Sequence, residues 1–173
     1  MRLFALLLAG LLDAAAPRVR PESPELRALV AAARARSATF RDLADRLERS
    51  DVIVYVRTRH FPSARLDGRI GFVRGSRGAG PRLLLVELNC PRTAAAQTAT
   101  LAHELHHATE IADAPWVTDP RTLATYYQQI GEETTPLGEG MAYETPQARR
   151  AAAQVAREVA DARPQRAERR GPL

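Results

Sequence analysis

His103 and His107 stand four residues apart with Glu104 directly after the first, in the run His103-Glu104-Leu105-His106-His107. Residues 93–112 around them read as a helix. Thr93 is a capping type, and Leu101, Leu105, Ala108 and Ala112 share an apolar side. On a helix, side chains four apart lie on one face. Two imidazoles in that relation can offer nitrogens to a single metal ion. A carboxylate beside them, Glu104, can then work on a water at that ion rather than bind the ion itself. His106 points elsewhere and is given no role. Glu110 follows His107 by three residues and can hydrogen-bond that ring, but the plainer expectation for it is a last-turn carboxylate.

A catalytic zinc takes three protein ligands and keeps a fourth position open for water. Three carboxylates compete to be the third. Asp113 stands six residues after His107 on a helix that nothing interrupts, so it turns about 240° away from that ring. Glu139 sits between Gly138 and Gly140. Glu144 stands just before Thr145-Pro146, which start another predicted helix with Ala148, Ala152, Val155 and Val159 at apolar positions. A carboxylate at the head of a docked helix is well held. Glu144 is the expected ligand, with Glu139 and Asp113 as alternatives.

These residues need a scaffold. Ser23 reads as an N-cap with Pro24 in the first helical position. Leu26, Leu29, Val30, Ala33, Phe40, Leu43, Ala44 and Leu47 then predict one amphipathic helix of about 24 residues over a sheet. Residues 18–22 before it read as a polar linker. Strands are expected at 52–56, 69–73 and 83–86, with Asp67-Gly68 as a hairpin turn between the first two. Gly75, Gly78 and Gly80, with Arg74 and Arg77, make a basic loop. No helix headed by Lys-Ser/Thr follows it, so a hairpin tip at the active-site rim fits better than a phosphate loop. Glu87 alternates out of the third strand and is expected at a solvated edge. His60 is expected at a surface turn near Phe61-Pro62. Asp119-Pro120 open a short helix carrying Leu123, Tyr126, Tyr127 and Ile130, closed by Gly131. Trp116 is expected to anchor the loop before it. Tyr126, Tyr127 or Tyr143 can donate to an oxyanion, although a packing role is the plainer expectation for each. The fold class is α+β, a small mixed or antiparallel sheet of about three strands packed on helices.

The chain has 173 residues, enough for one domain with a real core. Its formal charge is +5, and all 25 basic residues are Arg. With Ala and Pro also abundant, this reads as a coding bias rather than a phosphate-binding surface. Aromatics make up 5%, too few for a base-stacking platform, so no nucleic-acid partner is expected. Cys90 is the single cysteine, which excludes an internal disulfide; it is expected to be a buried small apolar residue. Arg2, the apolar run 3–12 and Ala14-Ala15-Ala16 read as a secretion signal over residues 1–16, with a short core helix as the alternative. The run is too short to span a bilayer. The expected location is periplasmic or secreted. Residues 17–163 form the expected domain, and 164–173 a basic, disordered tail.

The helix motif and the later Glu144 segment resemble the zincin metallopeptidases, and within them the gluzincin pattern. The resemblance covers the motif helix, a downstream helix and the strand-rich segment upstream. It implies that His103, His107 and Glu144 hold one Zn2+ ion and that Glu104 is the general base. It also implies a peptide or protein substrate. Pro146 disfavours helical geometry at Thr145, which sets Glu144 at a helix entrance rather than inside one. The implied reaction is peptide hydrolysis: Glu104 takes a proton from water and returns it to the leaving amine. A free sheet edge would hold the substrate backbone as an added strand. Two other readings stand beside this one. One is a secreted metal-binding domain without protease activity; the other is a helical interaction protein with an incidental motif.

Overall fold

A computed structural model describes residues 16–63, 65–73, 80–90, 92–134 and 142–162, without the side chains of 134, 142 and 143. The expected signal run 3–12, Arg74, Gly75, Arg77, Gly78, Glu139 and the tail 164–173 lie outside these residues, as does the Tyr143 side chain.

Ser23 caps α1 (Pro24–Arg36), its hydroxyl accepting from the Leu26 N–H at 3.2 Å. The helix does not run on as expected. Ser37 is extended, with φ −126° and ψ 121°, and its hydroxyl accepts from the Phe40 N–H at 2.9 Å to start α2 (Ala38–Glu48). The apolar spacing is kept on both sides of the break, so periodicity alone concealed it. Supplying an N-cap at a buried position is worth about 1 kcal/mol.

The main sheet has four strands rather than three. β1 (Val19–Pro21) forms within the expected linker, followed by β2 (Val52–Arg59), β3 (Gly68–Phe72) and β4 (Arg82–Asn89). Their order is β1-β2-β4-β3. The first three run parallel, and β3 is antiparallel to β4. The expected hairpin between β2 and β3 is therefore wrong. β2 pairs instead with β4 along all of its length, from Val52 beside Arg82 to Arg59 beside Asn89. That register sets Val54 beside Leu84 and Val56 beside Val86, and these four, with Val52 and Leu88, are fully buried on the face that meets the helices. The long apolar pairing outweighs the local turn signal.

α3 (Ala94–Asp113) carries the histidine motif. Thr93 caps it as expected, accepting from the Ala96 N–H. Leu101, Leu105, Ala108 and Ile111 are fully buried in the same core as Phe40, Leu47 and Val155. Truncating Leu105 to Ala would cost about 2–5 kcal/mol. The far end of α3 is held by one side chain. Arg82 is 7% exposed and donates to the carbonyls of Ile111, Ala112, Ala114 and Val117 at 2.7–3.2 Å. It also forks onto the Asp51 carboxylate. A guanidinium is suited to this because it has five donors and complements the negative end of the helix.

α4 (Pro120–Ile130) starts on an Asp119–Thr122 capping box. A two-stranded antiparallel ribbon, β5 (Glu132–Thr134) and β6 (Ala142–Glu144), leads into α5 (Pro146–Asp161). α5 packs against α3. It is tied to the break between α1 and α2 by Glu158, which accepts from Ser37 Oγ and from the Thr39 N–H and hydroxyl.

Candidate metal centre

The 3.6-residue period of α3 puts the His103 and His107 rings one turn apart, and both turn their Nε2 atoms to the same point, 3.1 Å from each other. β6 delivers Glu144 to that point from the other side. Its carboxylate oxygens lie 3.1 and 3.3 Å from His103 Nε2. One donor atom from each of the three residues falls within 4.8 Å of the other two. Two imidazole lone pairs this close repel unless a proton or a cation lies between them. Nitrogens held about 2.0 Å from a tetrahedral zinc are roughly 3.3 Å apart, so the spacing is close to what the ion needs. Two imidazoles and a carboxylate are also a donor set that zinc accepts. Among the described residues no fourth His, Cys, Asp or Glu joins the group.

Glu110 fixes the direction of His107. Its Oε2 lies 2.7 Å from His107 Nδ1, so Nδ1 donates and the Nε2 lone pair is left to face the centre. The same carboxylate receives Thr145 Oγ1 at 2.8 Å and the Tyr127 hydroxyl at 3.1 Å. Glu110 is thus no plain last-turn carboxylate. The i, i+3 spacing was the signal for its role; the partners from α4 and the head of α5 could not be read locally. The same holds for Thr145, whose partner lies 35 residues away in sequence. Its hydroxyl also accepts from the Ala148 N–H as the cap of α5. His106, given no role, lies 3.5 Å from Glu110 Oε1.

The electrostatics follow from burial against local charge. Burial raises the Glu104 pKa above the ordinary carboxylate value despite the two imidazoles. Glu104 is 5% exposed. Burial alone would lower His103, but the Glu144 contact and the nearby carboxylates outweigh it and hold the ring above its usual value. Glu144 and Glu110 are likewise pushed up by burial, yet both end below the ordinary range because of the hydrogen bonds they accept. Burial and Glu110 raise the Tyr127 phenol, so it stays a donor.

A cleft opens in front of these groups, lined by Leu66, Asp67, Gly68, Thr100, His103, Glu104 and Glu144. The start of β3 lies directly over the carboxylate of Glu104. A Cβ at Gly68 would sit 3.1 Å from Glu104 Oε1 and 2.5 Å from Thr100 Cγ2.

The expected residues divide clearly. His103, His107 and Glu144 come together, with Glu104 beside them. Asp113 points away and pairs with Arg46 at 2.7 Å. The Tyr127 hydroxyl is committed to Glu110, and that of Tyr126 donates to the Glu110 carbonyl at 3.2 Å, so neither faces the cleft as an oxyanion donor. Glu87, expected at a solvated edge, is 2% exposed under three arginines. Cys90, expected to be buried, is exposed at the end of β4, with Sγ 3.9 Å from His60 Nδ1. Trp116 is 48% exposed and packs edge-on against Tyr126.

Comparison of the chain with protein-family models, curated proteins and solved structures found no match.

Proposed function

We propose that this protein is a zinc-dependent peptide hydrolase of zincin type. The observation that carries the reading is the convergence of His103, His107 and Glu144 on one point, with Glu104 buried at the edge of an open cleft. Those three residues would hold the ion. When bound, zinc supplies a Lewis acid that polarises a carbonyl and acidifies water. Glu104 takes a proton from water in the cleft and hands it to the leaving amine. Burial raises its pKa above the ordinary carboxylate value, which makes the carboxylate a stronger base. Glu110 keeps His107 in the tautomer that leaves Nε2 free. β3 pairs with β4 alone among the described residues, so its outer edge can take an extended peptide as an added strand.

A purely structural metal site is the second reading. A closed structural site has four protein ligands; the group found here has three. Export is part of the proposal and rests on residues 1–16. No helix among the described residues is long and apolar enough to cross a membrane.

The test is zinc content and peptide hydrolysis of wild type beside Glu104→Gln. The variant should keep its zinc and lose roughly a hundredfold or more of its turnover. Hydrolysis at the wild-type rate in Glu104→Gln would remove the hydrolase reading; zinc without hydrolysis in wild type would favour the structural one.

A further inference from the structure

On the sheet face away from the helices, Arg57, Glu87 and Arg69 stand side by side on β2, β4 and β3. Glu87 is almost fully buried beneath them. Its Oε1 receives Arg57 at 2.6 and 3.0 Å, and its Oε2 receives Arg69 Nε at 2.6 Å. Arg59 reaches both oxygens at 3.2 and 3.3 Å. The guanidinium groups of Arg59 and Arg69 also lie over the buried ring of Phe61, at 5.8 and 5.6 Å. Three cations are thus fixed around one carboxylate, a surplus of two positive charges. Burial pulls the Glu87 pKa up, but the arginine contacts outweigh it and keep the group ionised. The arginine side chains remain 43–52% exposed, so their outward N–H groups face solvent.

Across the strands the charges read plus, minus, plus, and the row stops on Arg69 at the sheet's edge. The next position in the row belongs to whatever strand is added to β3. We infer that the protein selects extended peptides with an acidic side chain at the position beside Arg69. This rests on the proposed seating of a peptide along β3. A cross-strand neighbour sits about 4.5–5.5 Å away between Cβ atoms, close enough for an ion pair. Side chains alternate along a strand. The residues flanking the acidic one therefore face the other side, where Gly68 lies over Glu104. The acidic residue falls within two positions or so of the scissile bond. At Gly71, two residues on from Arg69, a Cβ would meet nothing within 4 Å, so the sheet face beside Arg69 has room for a peptide side chain.

Binding tests this apart from catalysis. A fluorescein-labelled neutral peptide, with a single Glu, Gln or Lys moved along it, is titrated into zinc-loaded Glu104→Gln protein and followed by anisotropy. At one register Glu should bind roughly two- to fivefold tighter than Gln, with Lys weakest. The preference should shrink in high salt and vanish in Arg69→Gln. Arg69→Lys, which keeps the charge without the fork, should retain part of it. Arg20→Gln, on the far side of β2, should leave it unchanged. Equal binding of Glu and Gln at every register, no binding of any peptide, or a preference that survives Arg69→Gln would overturn the inference. Wild-type cleavage of the same peptides separates the two claims. Peptides bound with the preference but never cut would overturn the hydrolase reading alone. Peptides cut without the preference would overturn the selectivity alone.

Discussion

Thr145 donates its hydroxyl to Glu110 at 2.8 Å, and so joins the segment that carries Glu144 to the helix that carries both histidines. The same oxygen caps α5 by accepting from Ala148. Thr145→Val should lose both contacts. The expected outcome is about 1–2 kcal/mol of stability by urea unfolding and roughly tenfold in zinc affinity by chelator competition. Thr145→Ser keeps the hydroxyl and should recover most of each. A zinc affinity unchanged in the valine variant would show that the link does not position Glu144.

Gly68→Ala should place a methyl group 2.5 Å from Thr100 Cγ2, which the packing cannot absorb without moving β3 or α3. About 1–3 kcal/mol of destabilisation is expected. Thr100→Ser removes the clashing methyl, so the double variant should be more stable than the two single changes predict. Additive effects in denaturant unfolding would mean that the strand and helix are not in contact at this point.

Arg82→Met retains the aliphatic bulk and removes the donors that gather the last carbonyls of α3. A loss of about 3 kcal/mol is expected, since several buried acceptors are left without partners. Arg82→Lys should rescue little, because one ammonium cannot span acceptors arranged for a fork. A fully stable Lys variant in urea unfolding would contradict this account.

Glu158 gives a pH dependence with a defined sign. Burial raises its pKa, but the hydrogen bonds from Ser37, Gln154 and Thr39 outweigh it and hold the group at about 2, below its ordinary 4.5. The folded state therefore binds the proton less readily than the unfolded chain. The stabilisation is present above about pH 4.5 and fades as the pH falls towards 2. Arginine contacts hold Glu87 and Asp51 low as well, outweighing burial in both, and these groups act in the same sense. The gap in urea midpoint between wild type and Glu158→Gln should be wide near pH 7 and narrow near pH 3. A gap independent of pH would mean that the contact holds no ionised carboxylate.

The motif helix was legible because its signals are local: a capping Thr93, an apolar side and two histidines one turn apart. β2 and β4 announced themselves as apolar runs. What stayed hidden depends on partners distant in the chain. The Asp67-Gly68 turn signal pointed to a β2–β3 hairpin, but the choice of neighbour was made by the full-length match of β2 with β4. Glu87 alternates like a surface residue, and only arginines from β2 and β3 make its burial tolerable. Glu110 is three residues from His107 in sequence, yet its weight in the site comes from Tyr127 and Thr145. Nothing local marks the break at Ser37, because the helices on either side of it keep one apolar rhythm.

Two of the candidate donors ride on α3, while Glu144 arrives on the strand that feeds α5. An ion gripped by all three would staple separate parts of the chain across a long excursion of sequence. Its grip and the seating of the final helix then become one reciprocal equilibrium. Whatever loosened that helix would let such a cation go, and whatever stripped the cation would loosen that helix.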